Sequence, residues 1–180
     1  MTVLVIYATV EGQSRKIADH VAGRLERVGE QVVIGDVGQE GYAEPGRFAA
    51  VILCAPVHVG RYPDRMVRFI HDWKPVLDTM PTAFISVSLG ITSDNEDERE
   101  EARAYPRKLE RKTGWKAKVE HHAAGALKYA EYDFFKRWVM RRISEKEGRP
   151  LNTSRDYEFT DWAALNAFVD SFVCGLRAGN

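Results

Sequence analysis

The sequence has little of what marks exported, membrane-spanning or disulfide-stabilised proteins. Its only two cysteines, Cys54 and Cys174, form neither a CxxC pair nor a disulfide framework, which is typical of a reducing cytosol. The longest apolar run, residues 48–57, is much shorter than the roughly 18 residues that a transmembrane helix needs. No basic region followed by a small-residue cleavage site opens the chain. We therefore expect a cytoplasmic protein.

An excess of charge of either sign is also missing, since 26 basic residues face 26 acidic ones. Overall neutrality argues against a nucleic-acid binder built on basicity, so we expect no nucleic-acid partner. Hydrophobic residues make up 44% of the chain and charged residues 29%, as in ordinary globular proteins. A length of 180 residues suits one domain, residues 1–180, and is compatible with a homo-oligomer.

Short apolar segments alternate with segments of helical periodicity. The β-branched run at residues 2–8 predicts a buried parallel strand, and residues 13–27 carry apolar side chains at helical spacing. Further strands are predicted at 31–35, 49–55, 82–89 and about 118–127, and further helices at 64–73, about 95–113 and from 160–162 onward. This alternation predicts an α/β fold with a parallel sheet covered by helices on both faces. Such sheets bind ligands beyond the carboxyl ends of their strands, so the loops after strands one, three and four are candidate sites.

The loop after the first predicted strand has the composition of a phosphate-binding turn. Its spacing is Thr-x-x-Gly-x-Ser, which combines two hydroxyls, a glycine for close backbone approach and free amides at a helix N-terminus. It is neither a Walker loop nor GxGxxG, which argues against a dinucleotide. The alternative is a plain turn in which Ser14 caps the helix. The candidate residues are Thr9, Val10, Glu11, Gly12, Gln13 and Ser14.

Around this loop the sequence resembles the flavodoxin-like family, and nearly end to end it resembles the branch of menaquinone-dependent protoporphyrinogen IX dehydrogenases. The matching positions are Thr9, Gly12, Gln13, Ser14, Ile17, Ala18, Gly60, Tyr62, Met80, Pro81, Ala83, Phe84, Ser86, Val87, Tyr105, Arg107, Lys108, Trp115, Ala124, Gly125, Ala126, Leu127, Tyr129, Tyr132, Asp133, Phe135, Thr160, Asp161 and Trp162. Two positions depart from the pattern: Glu11 stands where flavodoxins usually carry a hydroxyl, and His58 where the branch tends to have an arginine.

The resemblance implies a doubly wound five-stranded sheet of order 2-1-3-4-5 with FMN as cofactor. It further implies the oxidation of protoporphyrinogen IX to protoporphyrin IX in heme biosynthesis, with menaquinone or another quinone as electron acceptor. Two alternatives stay open: a flavodoxin-type electron carrier and an NAD(P)H:quinone oxidoreductase. The neutral charge speaks against the first, because such carriers tend to be acidic, and the absence of a nicotinamide motif speaks against the second.

The resemblance also assigns the loops after strands three and four to the flavin ring. Gly60 would let the backbone approach the ring, and Tyr62 would stack on it unless it is an ordinary buried tyrosine. His58 and Arg61 are the candidate catalytic residues, with an exposed loop histidine as the alternative for His58. The candidate ring-contacting residues are Pro56, Val57, His58, Val59, Gly60, Tyr62, Ser86, Val87, Ser88 and Leu89. We expect no metal site, because the adjacent His121 and His122 lie on a strand and face opposite sides.

Residues 128–158 form an insertion before the last helix that is too long for a simple connection. Its first half predicts an amphipathic helix in which apolar and basic side chains alternate. The surrounding residues 99–149 carry fifteen basic and eight acidic side chains. We interpret the helix as a surface for an anionic substrate, a quinone or the inner face of the cell membrane; the alternative is that its apolar stripe packs on the domain. The candidate surface residues are Tyr132, Phe135, Lys136, Arg137, Trp138, Arg141 and Arg142.

Overall fold

The computed structural model describes residues 1–39, 41–127 and 157–179 of the chain. The elements in chain order are β1 (Thr2–Tyr7), α1 (Gln13–Arg27), β2 (Gln31–Asp36), β3 (Ala50–Pro56), α2 (Asp64–Leu77), β4 (Thr82–Val87), α3 (Glu96–Thr113), β5 (Val119–Ala123), β6 (Ala126–Leu127), β7 (Tyr157–Glu158) and α4 (Trp162–Ala178). Two short 3₁₀ turns lie at Pro45–Arg47 and Gly90–Thr92.

Strands β1 to β5 form one parallel sheet in the order β2-β1-β3-β4-β5. The three central strands are mostly apolar, as expected for strands that helices cover on both faces, and their interior side chains are buried. Strands β2 and β5 lie at the edges and leave Val33 and Val119 partly exposed. The predicted five-stranded, flavodoxin-like α/β fold is confirmed.

Alternate side chains of each strand enter two separate cores. On one face Val5 and Ile52 pack with α1 and α4, whereas on the other face Leu4 and Leu53 pack with α2 and α3. Each helix therefore has a fixed position over the sheet, and the loops that join strand ends to helix starts collect at the carboxyl edge of the sheet.

Local capping sets several helix boundaries. The Asn95 side chain accepts a hydrogen bond from the Asp97 amide at the start of α3, and Gly114 ends that helix in the left-handed conformation with φ +69°. The Asp161 side chain accepts from the Ala164 amide, which places the start of α4 where the sequence predicts it. Within the described ranges, no helix is long and apolar enough to cross a membrane.

The predicted fifth strand, residues 118–127, is wrong in its second half. Strand β5 ends at Ala123, because β4 ends at Val87 and offers no further partner. Residues 126–127 instead pair antiparallel with residues 157–158 and form a two-stranded ribbon, β6–β7. The last two residues of the predicted insertion 128–158 therefore belong to this ribbon. The rest lies outside the described residues, including the candidate surface residues Tyr132, Phe135, Lys136, Arg137, Trp138, Arg141 and Arg142.

Candidate functional site

The turn between β1 and α1 has an unusual backbone. Gly12 occupies the cap position of α1 with φ +92°, a conformation that L side chains rarely adopt. The Gly12 amide donates to Thr9 Oγ1 at 2.9 Å, which closes the turn and leaves the threonine hydroxyl hydrogen available to another acceptor. A Cβ atom at Gly12 would meet no heavy atom within 4 Å. The turn therefore leaves open space at Gly12 beside the helix start.

Ser14 is the most informative residue of this turn. It lies inside α1, so it does not cap the helix, and its side chain is 1% exposed. In the part of the chain that the structure describes, its hydroxyl has no hydrogen-bond partner, and no side chain caps the helix. A buried hydroxyl without a partner costs about 1–3 kcal/mol, and the first amides of a helix also lack intrahelical acceptors. An anionic ligand such as a phosphate would satisfy both, so these residues fit the phosphate group of FMN.

The other residues of the turn take different positions. Val10 is 47% exposed, and Glu11 is half-buried. The Gln13 side chain turns away from the turn, and its amide donates to Glu158 Oε1 and to Thr160 Oγ1, both at 2.9 Å. Gln13 can therefore contribute its backbone amide, and not its side chain, to a ligand in this turn.

The loop after β3 is a tight hairpin. The His58 amide donates to the Arg61 carbonyl at 2.9 Å, and the Arg61 amide returns a bond of 3.2 Å to His58. Both central residues have positive φ, +48° at Val59 and +73° at Gly60. The conformation suits Gly60 but strains the β-branched Val59 by about 1–3 kcal/mol, and Val59 is 79% exposed. Strain of this kind is concentrated at functional sites, which supports a role for the hairpin in binding.

Tyr62 lies below this hairpin in the core. It is 4% exposed, its hydroxyl donates to Ser86 Oγ at 2.7 Å, and its ring meets Phe84 edge-on with the centroids 5.2 Å apart. Burial raises the pKa of Tyr62 well above its ordinary value, so the hydroxyl stays protonated. This geometry favours the buried-tyrosine alternative over stacking on a flavin. Ser86 accepts this bond and is itself fully buried, so both residues support the loops from within the core.

The loops after β3, β4 and β5 are fixed side by side. The Val57 amide donates to the Val87 carbonyl at 2.8 Å, and the Ser88 amide donates to the Ala123 carbonyl at 3.0 Å. Pro56, Val57 and Leu89 are half-buried, and Ser88 is 7% exposed. The structure therefore brings the predicted loops after β3 and β4 together at one edge of the sheet, beside the segment that follows β5. Their direct contact with a flavin stays a prediction.

Sequence reasoning missed a cluster beside the turn. Thr160 Oγ1 donates to the Ala124 carbonyl at 2.8 Å, and Lys16 Nζ lies 2.6 Å from Glu158 Oε2. Burial alone would raise the pKa of the Glu158 carboxyl, but hydrogen bonds from Lys16 and Gln13 hold it below its ordinary value. The sequence indicated Thr160 as part of a helix start and of the family resemblance, but not its contacts, since its partners Gln13 and Ala124 are distant in the chain.

Two histidines of β5 lie near this edge, and the buried Nδ1 of His122 has no hydrogen-bond partner among the described residues. His121 stacks on Phe168 of α4 with the ring centroids 4.9 Å apart, and burial lowers the pKa values of both His121 and His122. No group of three or more His, Cys, Asp or Glu side chains suited to a metal ion occurs among the residues that the structure describes.

Several basic residues of the segment 99–149 pair with acidic ones. Glu96 binds both Arg99 and Arg103, and Glu101 lies 3.4 Å from Lys108. These pairs neutralise part of the basic surface that composition predicts.

The chain is similar to flavodoxins and to proteins named protoporphyrinogen IX dehydrogenase (quinone). A family model described as a flavodoxin domain matches residues 4–154. A protein named protoporphyrinogen IX dehydrogenase (quinone) from Escherichia coli K12 is 27% identical over 169 residues, which are 94% of this chain and 93% of that protein. A protein of the same name from Leishmania major is 26% identical over 171 residues, 94% of this chain and 74% of that protein.

Solved structures agree on the fold. A short-chain flavodoxin associated with a PDU bacterial microcompartment superposes with a TM-score of 0.55 at 16% identity, covering 98% of this chain and 99% of that one. A Fusobacterium nucleatum flavodoxin bound to flavin mononucleotide gives a TM-score of 0.52 at 12% identity, covering 99% and 98%. At these identities the likeness concerns the arrangement of strands and helices.

Proposed function

The chain belongs to the flavodoxin family, and from that premise we propose that it oxidises protoporphyrinogen IX and passes the electrons to a quinone. FMN is the cofactor of this family, so the expected class, an FMN-dependent oxidoreductase, is confirmed. The substrate and the acceptor are the proposal. The names of the Escherichia coli and Leishmania major relatives support both. The observation that carries the FMN site is the buried Ser14 hydroxyl, which has no partner among the described residues, beside the open turn at Gly12.

The residues at the carboxyl edge divide into two groups by what they would hold. The phosphate group would accept hydrogen bonds from the Thr9 and Ser14 hydroxyls and from the first amides of α1. The ring would lie along the hairpin at residues 58–61, with the backbone of residues 87–89 at its pyrimidine edge. When bound, FMN supplies the two-electron chemistry of the reaction.

Each turnover takes a hydride and a proton from the porphyrinogen and delivers two electrons and two protons to the quinone, which becomes a quinol. Three turnovers complete the oxidation to the porphyrin. Arg61 is exposed on the hairpin, where its guanidinium can pair with a propionate of the substrate. His58 is half-buried on the same hairpin, and its imidazole is the candidate acceptor of the substrate proton.

A lipid quinone would meet the enzyme at a membrane surface. The predicted amphipathic segment, with Trp138 and Arg141 among its candidate residues, is our proposed contact for that surface or for the anionic substrate. A weak and reversible attachment suits this role, because each basic residue near an anionic lipid surface contributes about 1 kcal/mol.

Anaerobic mixing of the FMN-loaded protein with protoporphyrinogen tests the proposal. Without a quinone we expect bleaching of the oxidised flavin and less porphyrin than enzyme, and with a menaquinone analogue many porphyrins per enzyme. A protein carrying Gly12→Val serves as the control, because it lacks the cofactor turn. If the flavin stays oxidised after porphyrinogen is added, the proposal is contradicted. Rapid reduction of the flavin by NADPH instead would indicate an NAD(P)H:quinone oxidoreductase.

A further inference from the structure

One threonine hydroxyl connects the phosphate-binding turn to the far side of the candidate site. Thr160 Oγ1 accepts a hydrogen bond from Gln13 Nε2 at 2.9 Å and donates its own hydrogen to the Ala124 carbonyl at 2.8 Å. Gln13 is the first residue of α1, directly after Gly12 of the turn. The half-buried hydroxyl is thus bonded on one side to the helix that would bind the phosphate.

On its other side, Thr160 holds the segment that supports the loop after β4. Ala123, next to Ala124, accepts a hydrogen bond from the Ser88 amide at 3.0 Å. Gly125, on the other side of Ala124, lies beside Leu89, since a Cβ atom there would lie 3.6 Å from Leu89 Cγ, an ordinary van der Waals distance. A continuous series of contacts therefore runs from Gln13 through Thr160 to Ser88 and Leu89.

A second contact runs parallel to this series but is more open to water. The Glu158 carboxylate accepts hydrogen bonds from the side chains of Gln13 and Lys16. The side chains of Glu158 and Lys16 are 29% and 58% exposed. Exposed ion pairs contribute at most about 1 kcal/mol, and a two-stranded ribbon such as β6–β7 is only marginally stable alone. The half-buried Thr160 hydroxyl is the firmer of the two connections, because water competes less for its bonds.

We propose that Thr160 is a positioning residue that keeps the phosphate-binding turn and the ring-edge loops at the separation that FMN requires, an inference that rests on the proposed FMN site. FMN joins a phosphate and a ring covalently, so two preorganised half-sites bind it with the advantage of a linked ligand. That advantage depends on the distance between the half-sites. Loss of the Thr160 hydroxyl therefore penalises intact FMN more than it penalises either riboflavin or inorganic phosphate.

The test compares three ligands across matched variants. Dissociation constants for FMN and riboflavin come from flavin fluorescence quenching, and those for inorganic phosphate from chemical-shift titration. For Thr160→Val we expect FMN binding to weaken about five- to tenfold, while riboflavin and phosphate change less than about twofold. Thr160→Ser keeps the hydroxyl and retains wild-type affinity for all three.

Thr113→Val is the control for the chemical change itself. The Thr113 hydroxyl also donates to a backbone carbonyl, that of Leu109, and accepts from an amide, that of Trp115. It lies at the C-terminal end of α3, away from the candidate site. The Thr113→Val protein should lose stability and keep its FMN affinity. If Thr160→Val lowers the yield of folded protein, Gln13→Leu removes the other partner of the bridge and should show the same selective loss of FMN affinity.

Unchanged FMN affinity in both bridge variants would overturn the inference. Equal weakening of all three ligands would also overturn it, because a merely structural role gives that result. A wild-type protein that binds no FMN would instead contradict the proposed FMN site, so the two failures are distinguishable.

Discussion

Buried polar groups at the two edges of the sheet differ in whether they have hydrogen-bond partners. At the amino edge, the buried Glu30 carboxylate accepts bonds from the N-terminal ammonium and from Arg177, both at 2.6 Å. At the carboxyl edge, the Ser14 hydroxyl is buried with no partner among the described residues, and Val59 is held in a strained conformation. Groups at the first edge stabilise the fold, whereas groups at the second are arranged for a ligand.

Helix α1 contains both situations, one at each end. Gly12 at its start and Gly29 just beyond its end have φ values of +92° and +90°, and a Cβ atom at either would meet no heavy atom within 4 Å. The local sterics of the two glycines are thus matched. Any difference in FMN affinity between matched substitutions at these two positions therefore reports on what the carboxyl edge binds.

The largest expected effect is that of Gly12→Val. The substitution strains the backbone by about 1–2 kcal/mol and places a side chain where the phosphate would approach. We expect FMN affinity to fall more than about 100-fold in a protein that remains folded, measured by flavin fluorescence and circular dichroism. Gly29→Val should lose the same stability and keep its flavin. Equal FMN affinity in the two variants would remove the phosphate site from this turn.

The next largest effect concerns Glu30→Gln at the amino edge. Hydrogen bonds from the N-terminal ammonium and Arg177 lower the pKa of the Glu30 carboxyl. Its stabilisation is therefore present above the ordinary value near 4.5 and is lost as the pH falls through the folded-state pKa. We expect Glu30→Gln to lose about 2 kcal/mol at neutral pH, with a smaller difference from wild type in acid. Urea unfolding at several pH values measures this, and an FMN affinity that changed with it would contradict the division between the edges.

Ser14→Ala has a smaller effect of the opposite kind. The hydroxyl has no partner to lose among the described residues, so the free energy of unfolding of the cofactor-free protein should stay unchanged or rise by up to about 1 kcal/mol. FMN affinity should fall about tenfold, because the phosphate loses one donor. Thermal unfolding and flavin titration measure the two quantities. A marked loss of stability without loss of FMN affinity would show that Ser14 is only structural.

The smallest effect is expected from Val59→Gly on the hairpin. Relief of the positive-φ strain is partly offset by the greater freedom of glycine in the unfolded chain, which leaves a gain of about 0.5–1 kcal/mol. Val10→Gly is the control, since Val10 is also exposed but has no positive φ and should lose stability. Urea unfolding of the cofactor-free variants and wild type measures these changes in the free energy of unfolding. A loss of stability in Val59→Gly would show that the hairpin is not strained.

Features set by neighbouring residues were predictable from the sequence, and features set by distant contacts were not. The central strands follow from mostly apolar runs, β-branched in the first of them, and the Thr9–Ser14 turn follows from its own spacing. The end of β5 depends on pairing between residues 126–127 and 157–158, which no local pattern contains. The Thr160 bridge likewise spans 147 positions to Gln13. Tyr62 is a further example, because its hydroxyl bonds to Ser86 of β4, which is 24 positions away in the chain.

The amino edge also offers the clearest rival for a flavin site. A cavity of about 640 Å³ opens there, between the starts of the strands and α4. Its lining is mainly apolar and includes Met1, Ala49, Pro81, Val119, Phe168 and Phe172. Its polar side chains are those of Ser171 and Glu120, and it lies against the C-terminal half of α4. A carboxylate and a helix C-terminus both disfavour a phosphate, so the cavity suits FMN poorly.

Amide hydrogen exchange with and without FMN tests the central claim most directly. The claim is that the carboxyl edge, through its phosphate turn and ring-edge loops, is the cofactor site of this protein. We predict that FMN slows exchange at residues 12–16, 57–61, 87–90 and 123–125, and leaves residues 29–31, 81–83 and 119–120 unchanged. Protection confined to the amino edge, around the 640 Å³ cavity, would contradict the account.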